Sequence, residues 1–190
     1  PIARISDGGY VTLDFDRERY GMVRILTKTA KGDCKIRVRL GESVAEAYSE
    51  LGEFNSSNAH SLRDYSYLAP QNTELQTCKT GFRYARIDLI EGESLDLYCV
   101  ACESVFTAEK AIGSFYCSDK LVNEIAKTAA YTASLCIQNN VVWDGIKRDR
   151  MTWIGDLHPE MLTIIDLYGD VPELMDSICE TERFFPNYWA

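Results

Sequence analysis

Three aspartates, Asp144, Asp149 and Asp156, stand five and seven residues apart in the run WDGIKRDRMTWIGDLHPE (143–160). Trp143 and Trp153 are set among them, and Arg148 and Arg150 flank the middle acid. Glycosidic bond cleavage needs a protonated carboxyl to assist the leaving oxygen and a second carboxylate to handle water or the anomeric carbon. Aromatic rings beside such acids suit the C–H faces of a sugar, whose hydroxyls take charged hydrogen bonds. The same residue types also make a solvated, salt-bridged turn, because spacing does not encode loop geometry. Both readings stand on residue type alone.

The run lies at a junction between ordered elements, where binding groups are commonly mounted on a rigid frame. Before it the chain reads as strand. YVTLDF puts Val11, Leu13 and Phe15 on one side, and CKIRVRLGE alternates Ile36, Val38 and Leu40 with Lys35, Arg37 and Arg39. FRYARIDL and LDLYCVA repeat the pattern, and Asp7-Gly8-Gly9 and Lys31-Gly32-Asp33 are turn signals between such runs. Clean alternation implies one buried and one wet face, as in antiparallel sheets packed as a sandwich. The polar stretch AYSELGEFNSSNAHSLRDYS (47–66) reads as a long loop.

Helix follows strand. SDKLVNEIAKTAAYTASLCIQNN offers Ser118 as N-cap and an apolar stripe through Leu121, Val122, Ile125, Ala129 and Cys136. HPEMLTIIDLYG repeats at Met161, Ile164, Ile165 and Tyr168 and stops at Gly169. DVPELMDSICETERFF opens with Asp170 and Glu173 in capping-box spacing, carries Leu174, Met175 and Ile178, and ends at Pro186. The expected class is α+β in two units, a β-sandwich over residues 1–110 and a helical segment over 111–190. Three helices in so few residues make a thin core. Their packing partners are therefore expected beyond Ala190, with self-association of the isolated chain as a consequence.

A net charge of −9 argues against nucleic acid or an anionic membrane as partner. No apolar stretch is long enough to span a bilayer, and no signal-peptide pattern opens the chain. The first residue is Pro1 rather than Met, which reads as a piece of a longer protein. Seven cysteines, an odd number without framework spacing, fit a reduced, cytoplasmic setting, although a secreted parent is compatible with a missing true N-terminus. Strand alternation sends Cys99 and Cys102 to opposite faces, so their CxxC spacing reads as structural. His158, with His60 as its one fellow histidine, reads as a supporting residue, and no metal or cofactor is expected. Asp14, Asp16 and Glu18 could hold calcium, but no loop pattern asks for it. Tyr65 and Tyr67 read as a strand face, and Asp16-Arg17-Glu18-Arg19 as a solvated turn or an interdomain contact.

The central run resembles the signature of bacterial α-L-rhamnosidases (glycoside hydrolase family 78): an Asp, then Arg-acid-Arg, then Trp-x-Gly-Asp. GSFYCSDKLVNEIAKTAAYTASLCIQNN is similar to the first helix of that family's catalytic domain. LDFDRERYGMVRI, VRLGESVAEAY and TGFRYARIDL resemble, in order, the β-sandwich before it. The resemblance implies the first helices of an incomplete (α/α)6 toroid, and an inverting mechanism on terminal α-L-rhamnose. It implies that Asp144 holds sugar hydroxyls, that Arg148 lies beside the acid and that Trp153 walls the sugar. Asp156 becomes a further sugar or acid-positioning group, with Trp143 a second aromatic contact. Asp149 falls where the family generally has a glutamate acting as general acid.

That departure has a physical consequence. Aspartate is one methylene shorter, which draws the carboxyl back by about 1–1.5 Å, and a misplacement of about 1 Å can cost roughly a hundredfold in rate. Arg148 and Arg150, if aimed at it, would favour its ionised form, whereas an acid must be protonated. Burial, or a neighbouring Asp144 or Asp156, would have to oppose them. The family's general base is a glutamate supplied later in the toroid, and an inverting pair stands about 6.5–9.5 Å apart. Neither Glu160 nor Glu173 matches that base, which is expected outside this chain. The alternative is a non-catalytic carbohydrate-binding β-sandwich with a helical interaction extension. In either case the expected partner is a carbohydrate.

Overall fold

The computed structural model describes residues 1–29, 31–53, 61–106, 110–169 and 171–184. The chain divides into two compact units, Pro1–Val105 and Phe106–Ala190.

The first unit is antiparallel throughout. Its strands are β1 (Ala3–Ser6), β2 (Tyr10–Thr29), β3 (Cys34–Gly41), β4 (Asp64–Ala69), β5 (Asn72–Gln76), β6 (Thr80–Glu91) and β7 (Ser94–Ser104). The long β2 serves two layers. Its first half, Tyr10–Asp14, pairs with β6, while Gly21–Thr29 pairs with β7 and Arg24–Lys28 with β5. Adding the β3–β6, β3–β4 and β1–β7 pairs gives layers ordered β4–β3–β6–β2 and β1–β7–β2–β5. Alternate residues of both meet in one core: Ile5, Val23, Ile25, Leu95 and Leu97 from one layer, and Ile36, Val38, Leu40, Phe82 and Ile87 from the other. Val11, Leu13 and Phe15 pack against it, with Phe15 edge-on to Phe82 at 5.5 Å.

The register of β2 slips between Asp14 and Arg19, where Asp16 takes a φ of 74°. The charge run 16–19 is therefore an irregularity inside a strand, not a turn between elements. Bulges sharpen local twist and let one strand pass from sheet to sheet. Asp14 steadies this one, accepting the Asp16 N–H at 2.8 Å and pairing with the Arg83 guanidinium through two bonds of 2.8 Å. Beyond the slip a Cβ on Gly21 would lie 2.1 Å from the Glu103 carbonyl, so the approach of β2 to β7 needs glycine there.

The outer face of β3 is not simply wet, as alternation implied. Helix α1 (Val44–Tyr48) and the residues after it lie on that face. Arg39 is buried, bonded to Asp88 at 3.1 Å, Glu50 at 3.2 Å and the Tyr48 carbonyl at 3.2 Å. Arg63 is also buried and donates to the carbonyls of Glu46, Ser49 and Glu50. Buried charge persists only when paired, so these guanidiniums fix a segment that composition read as loop. Its first two residues end α1, and it holds a 3₁₀ turn at Ser61–Arg63 and the start of β4, while 54–60, with His60, lies outside the described residues. Tyr65 and Tyr67 sit on β4 with ring centres 5.8 Å apart, and the Tyr67 hydroxyl donates to the Gln76 carbonyl. Cys99 is exposed and Cys102 half-buried, both as free thiols. Among the described residues no three His, Cys, Asp or Glu side chains form a metal-holding group, and no helix is long and apolar enough to cross a membrane.

The second unit contains α2 (Lys120–Cys136), a hairpin of β8 (Ile137–Gln138) and β9 (Val141–Val142), α3 (Ile154–Tyr168) and α4 (Pro172–Phe184). Asp119, not Ser118, caps α2: its carboxylate accepts the Leu121 and Val122 N–H groups at 2.8 and 3.3 Å. An ionised acceptor at a helix N-terminus also meets the positive end of the dipole. The stripe read as core is mostly outside it, with Leu121 69% and Ile125 58% exposed. Only the last turn of α2 is buried. Ala133 and Cys136 join Ile137, Val142, Leu157, Ile164, Val171 and Leu174 in a small core, with Met161, Tyr168 and Ile178 against it. Helix α3 starts four residues before His158 and ends, as expected, at Gly169 with a φ of 78°. Asp170 and Pro186, read as cap and stop of α4, lie outside the described residues.

Candidate functional site

The site begins in the hairpin. Asn139 and Asn140 both have positive φ, 51° and 69°, the requirement of a type I′ turn and one that asparagine tolerates. In such a hairpin the pair flanking the turn is hydrogen-bonded and the next pair is not. Val142, opposite Ile137 in that second pair, therefore points its N–H out of the ladder, where the Ser177 hydroxyl of α4 accepts it at 2.7 Å. The ladder resumes with Trp143 N–H to the Cys136 carbonyl at 2.9 Å.

Asp144 follows and closes a loop on itself. Its N–H donates to the Met151 carbonyl at 2.9 Å, and its carboxylate accepts the Met151 N–H at 3.0 Å. Arg150 reverses the chain just before, at a φ of 52°. The far end of the loop is tied to α4 as well, because Thr181 donates to the Thr152 carbonyl at 2.9 Å. Ser177 and Thr181 are buried and one helical turn apart, so a single face of α4 grips both ends of the loop. They are positioning residues absent from the candidate set. The available signal was a pair of small hydroxyls at i and i+4 among the apolar positions of α4.

The loop presents Arg148 and Asp149 as adjacent ion-pair partners, joined by two parallel bonds of 2.8 and 2.9 Å. This pair raises the Arg148 guanidinium above its ordinary value. Trp153, the N-cap of α3, leaves its ring partly exposed, whereas Trp143 is buried and backs the loop with the Arg150 guanidinium 5.9 Å from its ring. Asp156 lies in the first turn of α3, where the helix dipole favours negative charge. His158 is on the same helix and exposed.

Asp144 is the acid on which the others act. Burial pushes its carboxyl upward, the Met151 N–H opposes that, and the charges of Asp149 and Asp156 raise it further. One further acid belongs here. Glu160, half-buried on α3, is pushed up to about 7 by burial first, then by Asp156 and, against a thiol bond from Cys136, by Asp144. The Cys136 thiol is itself pushed up to about 12 by burial and by Glu160. The structure thus brings Asp144, Asp149, Asp156 and Arg148 into one electrostatic group. It adds a carboxyl that the motif did not mark.

No family model matches the chain, and no curated protein matches it in sequence. Solved structures do. A rhamnosidase from Klebsiella oxytoca with rhamnose bound matches with a TM-score of 0.83 at 21% identity, over 93% of this chain and 36% of that one. The family 78 rhamnosidase of Bacillus sp. GL1 gives 0.75 at 20% identity, over 90% of this chain and 17% of its own. The α-L-rhamnosidase of Dictyoglomus thermophilum gives 0.67 at 22% identity, over 95% and 21%. The chain therefore has the fold of part of these enzymes and spans about a third or less of their length.

Proposed function

We propose that this chain is the N-terminal part of a glycoside hydrolase that releases terminal α-L-rhamnose with inversion. Residues 1–110 would form its β-sandwich and 111–190 the first helices of an (α/α)6 catalytic domain. The observation that carries the reading is the placement of Asp144, Asp149 and Asp156. The motif that resembles the rhamnosidase signature is folded as one clamped loop and the start of one helix, within a chain whose fold is that of rhamnosidases.

In this reading Asp144 and Asp156 hold sugar hydroxyls, Trp153 covers an apolar face of the ring, and Trp143 stiffens the loop from behind. Asp149 stands in the general acid's place. Both of its carboxylate oxygens are engaged by Arg148, so action on the leaving oxygen requires Arg148 to turn from it toward the sugar. Inversion also needs a base carboxylate on the far side of a water, supplied from outside these residues.

The test is a panel of chromogenic glycosides led by the α-L-rhamnoside, on this chain and on the whole protein that carries it. Rhamnoside turnover by the whole protein, lost on Asp149→Asn, supports the reading. Equal turnover after that substitution removes the acid assignment, and silence on every glycoside removes the hydrolase.

A further inference from the structure

The outer face of the β1–β7–β2–β5 layer carries a groove of about 470 Å³, within the range of small-ligand sites. Its lining comes from three adjacent strands. Leu26 of β2 stands opposite Glu74 of β5, and Lys28 opposite Asn72. Residues directly opposite one another share a face of the sheet, and all four of these are exposed. The third wall is made by an irregularity in β7. Leu26 pairs with Cys99 and Thr27 with Leu97, so Tyr98 is an extra residue with no partner in β2. Leu95 and Leu97 on one side of it, and Val100 and Cys102 on the other, belong to the core. The bulge leaves Tyr98 and Cys99 exposed together between them. A bulge re-aims a side chain at the expense of the ladder. Here it sets a tyrosine ring at the wall of the groove.

The lining selects a ligand by its chemistry. Tyr98 and Leu26 offer an aromatic and an aliphatic surface, which suit the C–H faces of a sugar ring. Among the described residues no hydrogen bond engages the Lys28 ammonium, the Asn72 side-chain amide or the Tyr98 hydroxyl. Glu74 is held in place, because Arg24 binds one of its carboxylate oxygens and reaches Glu103 at 3.4 Å, to which Gln76 donates at 3.2 Å. An acceptor fixed in advance costs a ligand little ordering. One cation, Lys28, and one anion, Glu74, line the groove, so charge favours neither an anionic nor a cationic ligand. A neutral ligand whose groups both donate and accept satisfies Lys28, Asn72 and Glu74 together, and the neighbouring hydroxyls of a sugar do so. A peptide added as a strand needs the unpaired backbone of a sheet edge, whereas this groove lies over the face of paired strands. We propose that the groove is a second carbohydrate-binding site: it takes a neutral oligosaccharide, with one sugar ring on Tyr98 and hydroxyls on Lys28, Asn72 and Glu74. The site lies wholly within Pro1–Val105 and does not depend on whether the loop that carries Asp149 cleaves sugar.

Affinity electrophoresis of the whole chain tests the site, in gels holding soluble galactomannan, arabinoxylan or mixed-linkage β-glucan, with polygalacturonate as an acidic comparator. Retardation by at least one of the three neutral polysaccharides is expected. Tyr98→Ala should weaken that binding about tenfold, and Asn72→Ala, which removes hydrogen-bonding groups from an exposed position, should weaken it as well. Thermal melting like that of the wild type shows that a variant keeps its fold, and Asn72→Ala decides the matter if Tyr98→Ala does not fold. Trp153→Ala, at the start of α3, should leave the retardation unchanged, which separates this groove from the candidate site of the second unit. No retardation by any neutral polysaccharide, or retardation by polygalacturonate alone, overturns the proposal. Retardation that survives Tyr98→Ala and Asn72→Ala, or that Trp153→Ala abolishes, overturns it too. Rhamnoside turnover is read in a separate assay, so failure of the hydrolase reading leaves this result standing.

Discussion

Replacing Ser177 by alanine tests whether α4 holds the candidate loop. The Ser177 hydroxyl accepts the Val142 N–H at 2.7 Å and donates to the Glu173 carbonyl at 2.6 Å. Ser177 is 0% exposed and Val142 1%, so water cannot take over when the hydroxyl is removed. A buried donor left without an acceptor costs about 1–3 kcal/mol. Alanine is the better helix former by a few tenths of a kcal/mol, and the lost bond to Glu173 frees a carbonyl already satisfied within the helix. The net loss is about 1–2.5 kcal/mol. For a chain of this length that lowers Tm by roughly 2–10 °C. Thermal denaturation followed by circular dichroism reads the loss, and amide exchange locates it. Val142 should exchange about tenfold faster for each 1.4 kcal/mol lost locally, while Trp143, bonded to the Cys136 carbonyl, serves as internal control. Wild-type stability together with unchanged protection at Val142 would refute the clamp.

Other outcomes follow from the same geometry. Burial holds Glu160 at about 7 in the folded chain against an ordinary 4.5, so the native state keeps a proton that the unfolded chain has released over that window. Stability from this group therefore falls as pH rises from 4.5 to 7. Glu160→Gln should be more stable than wild type at pH 8, by on the order of 1 kcal/mol after allowance for partial solvent contact, and equal to it below pH 4.5, as urea titrations at the two pH values would show. Gly113→Ala would set a Cβ 1.9 Å from the Asp166 carbonyl, where Ile112 and Gly113 both donate to Leu167 at 2.8 Å. The forced shift should cost about 1–3 kcal/mol in thermal melts. At pH 8 iodoacetamide should label exposed Cys78, Cys99 and Cys179 quickly and Cys136 last, because burial suppresses its thiolate; peptide mass mapping gives the order.

The split between strands and helices was legible because period-2 and period-3.6 patterns report which face each element buries. Ile36, Val38 and Leu40 announced β3, and Gly169 the end of α3. Less was legible where neighbours distant in sequence set the outcome. Arg37 and Arg39 looked like a wet face, but α1 folds over them. The stripe of Leu121 and Ile125 looked like core, yet both side chains are largely exposed. Ser118 looked like a cap, and the ionised Asp119 one residue on took the role.

At the site, residue type and spacing by themselves determined which groups could do chemistry: Asp144, Asp149 and Asp156, with Arg148 and Trp153 among them. They determined neither the charge each carries nor what holds it. The Arg148–Asp149 pair, the grip of Ser177 and Thr181 on the loop and the proton on Glu160 depend on which side chains meet and how much water reaches them. Protonation is a through-space property, set by burial and by neighbours as distant along the chain as Cys136 is from Glu160, 24 residues, so only the tertiary structure could decide it.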